Sequence, residues 1–157
     1  VWDRDPEMMC KLVGPDWSDL AWGSLDPRIE LVGAVPHLHD VFDSVRATVA
    51  PLRFGAGIKG KVLDSLGAGV PCIMTPIAAE GIPLTGDLRK LIAEDPVSMA
   101  ETICDVAYRP HLNTRLANLG RTMVASYFTD DAVRAALESV VGSGLPRTVV
   151  ARLAASA

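Results

Sequence analysis

The sequence predicts an α/β fold in which a parallel sheet carries helices on both of its faces. Short apolar segments alternate along the chain with segments of helical periodicity, which is the pattern of strand–helix–strand units. A length of 157 residues is enough for one domain with a hydrophobic core. A composition that is 49% apolar and 22% charged is that of a globular protein. Ligands of such sheets bind beyond the carboxyl ends of the strands, so the segments that follow strands are the first candidates for a site.

Five apolar segments are predicted to be strands, and glycine or proline lies at or beside the end of the first four. The five segments are residues 7–13, 28–32, 48–52, 70–75 and 87–93. Gly14, Gly33, residues 53–57 and residues 75–81 follow strands directly. Because parallel strands end at the same edge of a sheet, we expect these four segments to meet there.

Apolar residues at helical spacing predict five helices. The first begins near residue 37 with Leu38, Val41, Phe42 and Val45 on one face, and the others span residues 59–66, 96–108, 112–128 and 130–141. Pro96 lies in the first turn of the third helix, and Thr129 or Asp130 caps the last one. Residues 17–22, with two tryptophans, are predicted to be a surface segment, and residues 143–157 are predicted to be a C-terminal tail.

The overall charge and the cysteines exclude several classes of protein. A net charge of −4 argues against general binding of nucleic acid. Cys10, Cys72 and Cys104 are odd in number and lie in apolar stretches, so we expect buried free thiols rather than a disulfide or a metal site. His37 and His39 lie two residues apart without an obvious third partner, so no zinc site is expected there.

The sequence contains no predicted membrane-spanning or targeting segment. No apolar run approaches the roughly 18 residues that span a bilayer, and no signal peptide opens the chain. A cytoplasmic location is therefore expected. The first residues, Val1-Trp2-Asp3-Arg4, do not resemble a natural start, so we expect further residues before them.

The segment that follows the third predicted strand has the densest set of functional residue types. Gly55, Gly57 and Gly60 allow tight turns and a close approach of the backbone to a ligand. The segment runs into the N-terminus of a helix, where unpaired amide groups and the helix dipole favour phosphate. Arg53 and Lys59 add fixed positive charge. The pattern predicts a phosphate-binding site, and the alternative is a surface loop with solvated cations.

Three phosphate-binding motifs overlap in this segment. Its glycines fit the dinucleotide-binding fingerprint G-x-G-x-x-G, but that motif also requires an acid at the end of the next strand. The sequence has Thr75-Pro76 there, with Glu80 further along. Residues 55–61 fit the first seven positions of the Walker loop, yet Val62 stands where serine or threonine binds magnesium. The third motif is longer and more specific.

The third motif is a match to a protein family. The run PLRFGAGIKGKVLDSLGAGVPCIMTPIAAEGI resembles the donor-binding segment of retaining glycosyltransferases with the GT-B fold, the group 1 family. In that family an arginine and a lysine grip the pyrophosphate of the donor. Arg53 and Lys59 match these positions, and Gly55, Gly57 and Ile58 form the donor-binding loop between them.

The resemblance also implies roles for residues outside this loop. Asp64 stands where the family has a glutamate that binds the nucleotide ribose, and aspartate can accept the same hydrogen bonds. Ala56 stands where many members carry a second glutamate, a departure that matches a subgroup whose loop reads Gly-x-Gly-x-Lys. Gly33, Glu80 and Gly81 match further loops beside the donor. There Glu80 contacts the sugar or a neighbouring backbone amide, and the alternative is a solvated side chain.

The resemblance implies an overall organisation. Residues 1–142 are expected to form a Rossmann-like, nucleotide-sugar-binding domain, the C-terminal half of a GT-B fold without its first strand and helix. Family enzymes transfer a sugar from a nucleotide diphosphate to an acceptor with retention, and neither an essential metal nor another cofactor is expected. The fragment alone is expected to be inactive, because the acceptor domain is absent. It is also expected to self-associate, because an incomplete parallel sheet exposes unpaired edges.

Two other classes of function remain open on the residues alone. One is a nucleotide-binding enzyme of different chemistry, a nucleotide-sugar epimerase or a dinucleotide oxidoreductase, which preferential binding of a nicotinamide dinucleotide would favour. The other is a non-catalytic domain that keeps the fold for interaction. Ala56 keeps this second alternative open, and failure to bind any nucleoside diphosphate would favour it.

Overall fold

The computed structural model describes residues 1–14 and 25–141 of the chain. Its strands are β1 (Cys10–Val13), β2 (Ile29–Gly33), β3 (Thr48–Ala50) and β4 (Cys72–Met74). Its helices are α1 (Leu38–Phe42), α2 (Gly60–Ala68), α3 (Pro96–Tyr108), α4 (Pro110–Tyr127) and α5 (Asp130–Val141), with a 3-10 helix at Gly86–Leu91. The predicted α/β class is confirmed. The tryptophan segment 17–22 and the tail 143–157 lie outside the described residues.

Strand pairing within the described ranges is parallel throughout and forms two pairs. β1 pairs with β2, with an irregular register between Leu12 and Val13. β3 pairs with β4, and a bridge from Met74 to Ile92 adds one more parallel contact. α2 connects β3 to β4, as the crossover between parallel neighbours requires. The parallel pairing is as predicted, and the single sheet that we expected is present as two strand pairs.

The hydrophobic core lies around β4 and the buried face of α2. All three residues of β4 are buried, which is typical of a parallel strand covered on both faces. The largest buried side chains come from α2, β4, the 3-10 helix, α3 and α4: Val62, Leu66, Ile73, Met74, Leu91, Val106 and Leu116. α2 packs closely on α4, since a β-carbon at Gly120 would lie 3.1 Å from Cδ2 of Leu66. Val62 and Leu66 form the buried face of α2, and Leu63 is only partly buried.

Two of the later helices, α3 and α5, begin at residues whose side chains cap them. The Asp95 carboxylate accepts hydrogen bonds from the amides of Val97 (2.8 Å) and Ser98 (3.0 Å), and Ser98 completes a capping box. These hydrogen bonds stabilise the carboxylate and so lower the pKa of Asp95, and the bond from the Ser98 amide contributes most. At the start of α5, the hydroxyl of Thr129 accepts from the amide of Ala132 at 3.3 Å, as predicted. No helix in the described part of the chain is both long enough and apolar enough to cross a membrane.

Two predicted elements differ in the structure. Residues 87–93 were predicted to be a strand, but the 3-10 helix occupies most of this segment. Leu88 and Leu91 lie three residues apart, so one 3-10 turn directs both into the core, and Ile92 alone bridges to β4. The first helix was predicted to include Val45, but α1 ends at Phe42 and buries none of its residues. A helix without a buried face gains little from packing, which accounts for its short length.

The predicted burial of all three thiols is wrong for one of them. Cys72 and Cys104 are buried and free, whereas Cys10 is exposed. Cys10 is the first residue of β1, and β1 is covered less well than β4. Desolvation raises the pKa of the Cys72 thiol to about 11, so this side chain is neutral near pH 7 and behaves as an apolar core residue.

A buried hydroxyl joins α2 to β3 and to the turn that precedes β4. Ser65 is 0% exposed, and its hydroxyl donates to the carbonyl of Val70 at 2.9 Å. The hydroxyl of Thr48 lies 2.6 Å from that of Ser65. Since the proton of Ser65 goes to Val70, Thr48 is the donor in this pair. Ser65 thereby links α2 to β3 and to the turn before β4.

Replacing this hydroxyl should destabilise the fold. Ser65→Ala leaves the Val70 carbonyl and the Thr48 hydroxyl without their buried partner, so the free energy of unfolding should fall by about 1–3 kcal/mol. Urea unfolding followed by circular dichroism measures the change. Ser139→Ala is the matched control, because Ser139 on α5 also donates to a backbone carbonyl but is exposed. Equal effects of the two changes would contradict the structural role of Ser65.

The strand edges generate a second prediction. Within the described residues β1 pairs only with β2, and β3 pairs only with β4, so each leaves one edge unpaired. Val49 in β3 is 44% exposed. Unpaired edges with apolar side chains favour association, so we expect self-association at roughly tens of micromolar protein, measured by light scattering.

A pair of lysine variants tests the edge of β3. Val49→Lys should shift the mass towards that of the monomer, because charge on an edge strand opposes pairing. Val97→Lys places the same charge on α3, at a side chain that is 69% exposed, and should leave the mass unchanged. A monomeric unaltered chain at this concentration would show that the edges do not associate.

Candidate functional site

The loop between β3 and α2, residues 51–59, is called the glycine loop below. Gly55 has φ +136° and Gly57 has φ +74°, and both values lie in the region that strains other residues. Arg53 is exposed in this loop, and Lys59 is partly exposed at its end. A β-carbon at Gly55 would lie 3.4 Å from Cε of Lys59, so the lysine side chain lies over the turn. The loop therefore turns tightly beside two cationic side chains.

Lys59 connects the loop to the first turn of α2. Its carbonyl accepts hydrogen bonds from the amides of Val62 (2.9 Å) and Leu63 (3.3 Å). Its ammonium group donates to the carbonyl of Gly57. No side chain among the described residues caps this N-terminus, so the first amide groups of α2 are available to an anion.

The positive charge of the glycine loop is not balanced by nearby acids. Neither Arg53 nor Lys59 belongs to a salt bridge within the described residues. The carbonyl partner of Lys59 is neutral, and the helix dipole adds further positive potential at this end of α2. The arrangement can therefore attract and hold an anionic group.

Asp64 lies on the exposed side of α2, in its second turn. Val62, Ser65 and Leu66 form the buried side of the same helix. This division leaves the Asp64 carboxylate free to accept hydrogen bonds from a ligand outside the core. The prediction that Arg53 and Asp64 line one cleft stays a prediction.

The loop that follows β4, residues 75–83, is called the β4 loop and contacts the glycine loop directly. The hydroxyl of Thr75 donates to the carbonyl of Leu52 at 2.7 Å. A β-carbon at Gly81 would lie 2.8 Å from Cγ1 of Ile58, so these residues pack without a gap. Glu80 is exposed in the same loop. Two of the four segments expected to meet are therefore in contact.

The other two segments also contact each other, at the end of the first strand pair. The amide of Gly14 donates to the carbonyl of Gly33 at 2.9 Å. Gly33 has φ +76°, and a β-carbon there would meet no atom within 4 Å, so its outer side is open. The expected meeting of four strand-end segments is thus present as two contacting pairs, one at each strand pair.

Sequence reasoning missed the side chains that join the two loops. Thr75 was interpreted only as the end of a strand, and Ile58 only as part of the donor-binding loop. Thr75 belongs to the run of residues that resembles the family, which was the available signal for it. No local signal in the sequence indicates that Ile58 packs on Gly81, because the two residues are 23 positions apart.

Two cavities in the described part of the structure lie away from the glycine loop. One, of about 390 Å³, lies beside residues that precede β3 and β4, including Arg46 and Val70. Its polar groups already have backbone partners: Arg46 donates to the carbonyl of Ala107 and Asn113 donates to that of Arg46, each at 2.8 Å. The other, of about 430 Å³, lies between the 3-10 helix, α3 and α4. We place the candidate site at the glycine loop, because this loop joins two glycines at positive φ and two cations to the N-terminus of α2, as the phosphate-binding pattern predicted.

The structure also bears on the competing motifs. β4 ends at Met74 and is followed by Thr75 and Pro76, so the end of this strand lacks the acid that a dinucleotide site needs there, and Glu80 lies further along the loop. No group of three or more His, Cys, Asp and Glu side chains in the described ranges could hold a metal ion. The local geometry fits an anion site of cations and amides.

Comparison with protein families agrees with the loop and its surroundings. The family model of glycosyl transferases group 1 matches residues 1–108, which include both strand pairs, the glycine loop and α2. No curated protein and no solved structure matches the chain. The matched region covers more than half of the 157 residues and contains the segment whose motifs suggested this family. The chain belongs to the group 1 family of glycosyltransferases.

Proposed function

We propose that residues 1–142 bind a nucleotide-diphosphate sugar as the donor-binding domain of a retaining glycosyltransferase, followed by a tail at residues 143–157. The glycine loop carries this proposal. It combines two glycines at positive φ, two cations without acidic partners among the described residues, and an uncapped helix N-terminus. A diphosphate is the part of the donor whose charge this arrangement complements.

The same groups would act in the transfer step. As the bond between the sugar and the diphosphate breaks, its electron pair passes to the leaving diphosphate oxygen, where negative charge builds up. Arg53 offers two parallel N–H donors to phosphate oxygens, and Lys59 exchanges its neutral partner, the Gly57 carbonyl, for a charged one. Together with the amides at the start of α2, they stabilise the leaving group in the transition state.

The remaining donor contacts are assigned from the resemblance of the other site residues to the family motif. Asp64, exposed on α2, accepts hydrogen bonds from the ribose hydroxyls. Glu80 lies beside the sugar, and Gly33 and Gly81 let the backbone approach the donor. The acceptor binds to a separate domain, so the chain alone binds donor without turnover. No metal or further cofactor takes part in this proposal, and the cytoplasmic location stays a prediction.

Changing the two cations should weaken binding of nucleoside diphosphates. Arg53→Ala and Lys59→Ala each remove a charge-assisted hydrogen bond to the diphosphate. Either change should reduce the affinity for uridine, guanosine or adenosine diphosphate by about tenfold to hundredfold. Asp64→Ala should weaken these nucleotides and leave inorganic pyrophosphate almost unaffected, because its partner is the ribose. Titration calorimetry with all four ligands measures the pattern.

Arg134→Ala is the charge-matched control. Arg134 lies on α5 and pairs with Asp131 at 3.5 Å, so its removal changes the net charge equally without touching the glycine loop. Its effect on affinity should stay within about twofold. Unchanged affinity in both loop variants would rule out the glycosyltransferase interpretation of the loop. Equal losses of pyrophosphate and nucleotide affinity in Asp64→Ala would rule out its ribose contact.

A further inference from the structure

The first contact between the β4 loop and the glycine loop fixes the peptide that leads into Arg53. The Thr75 hydroxyl donates to the Leu52 carbonyl at 2.7 Å and accepts from the Ala78 amide at 3.3 Å. The hydroxyl proton is therefore committed to Leu52. Because the Leu52 carbonyl belongs to the peptide group whose nitrogen is that of Arg53, this bond sets the direction in which the chain enters the glycine loop.

The second contact lies at the opposite end of the glycine loop. Gly81 has φ +76°, and a β-carbon there would approach Cγ1 of Ile58 to 2.8 Å, closer than packed atoms allow. Ile58 immediately precedes Lys59 and remains 50% exposed, so Gly81 supports one side of it. Any side chain at position 81 would displace the side chain of Ile58, which directly precedes Lys59, the N-cap residue of α2.

The β4 loop is more firmly anchored than the loop that it touches. Ala78 is 0% exposed and Ile82 is 8% exposed, so the β4 loop is held in the core. Its own turns are closed by hydrogen bonds from the Ala79 amide to the Thr75 carbonyl at 3.0 Å and from the Ile82 amide to the Ala79 carbonyl at 3.1 Å. Residues 53–58 of the glycine loop are all exposed. The conformation of the exposed loop therefore depends on the anchored one.

We propose that Thr75 and Gly81 are positioning residues that hold the two ends of the glycine loop, and so place Arg53 and Lys59 for the donor diphosphate. This inference rests on the proposed function of the loop. This role needs no contact between Thr75 and the ligand, and for Gly81 it is additional to the backbone approach to the donor proposed above. Each contact restricts the conformations of the loop in the free protein. The loop then loses less conformational entropy when it binds the ligand, and this preorganisation raises affinity.

The Thr75 contact is tested with a hydroxyl-removing and a hydroxyl-retaining variant. Thr75→Val keeps the shape of the side chain and removes the bond to Leu52, so the affinity for inorganic pyrophosphate should fall by about fivefold to tenfold. Thr75→Ser keeps the hydroxyl and should stay within about twofold of the unaltered chain. Thr102→Val is the matched control, since Thr102 is also partly buried and donates to a backbone carbonyl, at 2.8 Å, but lies in α3.

The Gly81 contact is tested in the same assay with a glycine control. Gly81→Ala should lower pyrophosphate affinity by about fivefold or more, because it combines strain at positive φ with a clash on Ile58. Gly86→Ala introduces strain at φ +53° where no atom lies within 4 Å, and should leave affinity unchanged. Adding Ile58→Ala to Gly81→Ala removes the clash and should restore part of the affinity.

The outcomes separate this inference from the function on which it rests. Calorimetry is run at a temperature at which circular dichroism shows that each variant is folded. A loss of affinity then reflects a change in the glycine loop rather than unfolding. If Arg53→Ala loses pyrophosphate affinity but Thr75→Val and Gly81→Ala do not, the positioning role is overturned and the proposed function stands. Equal losses in Thr75→Val and Thr75→Ser also overturn the role of the hydroxyl. If the unaltered chain does not bind pyrophosphate, both proposals fail.

Discussion

The parallel pairing of β3 with β4 is the constraint on which the candidate site depends. Its register places Ala50 opposite Met74, so both strands end at the same level of the sheet. The residues that follow, Pro51 and Thr75, therefore start two loops side by side. A register shifted by two residues would keep the same faces buried but would separate the Thr75 hydroxyl from the Leu52 carbonyl. The pairing thus determines which side chains of the two loops can meet.

The two sides of α2 have different roles: one side packs in the core, and the other faces outward with Asp64. Burial of Val62 and Leu66 against the core and α4 fixes the axis of the helix, and Ser65 ties it to β3. With the axis fixed, the N-terminus necessarily follows the glycine loop and Asp64 faces outward. The packing of an apolar face, far from any ligand, therefore determines where the amides and the carboxylate of the candidate site lie.

Features that depend on local sequence were predictable, and features that depend on contacts between distant segments were not. The bounds of α3 and the start of α5 matched the prediction, because capping residues and helical periodicity are local signals. The spacing of Leu88 and Leu91 did not identify the 3-10 helix, since the core that both residues enter is formed by other elements. The glycines and cations of the loop were likewise identified from sequence. The contact of Ile58 with Gly81 was not, because it depends on the pairing of β3 and β4.

The start of α2 differs from the starts of α3 and α5 in a way that bears on function. α3 begins at Asp95, whose carboxylate caps two amides, and α5 has Asp130 and Asp131 in its first turn. Negative charge at these positions complements the helix dipole. α2 begins at Lys59, without an acid in its first turn and without a side-chain cap among the described residues. A cation at this position is unfavourable for the helix alone. α4 likewise follows a cation, Arg109, without a side-chain cap or an acid in its first turn, so such a start alone does not indicate a binding site. α2 differs from α4 because two glycines at positive φ precede it and Arg53 is exposed in the same loop. This combination is why we regard the loop as a binding site rather than a connection.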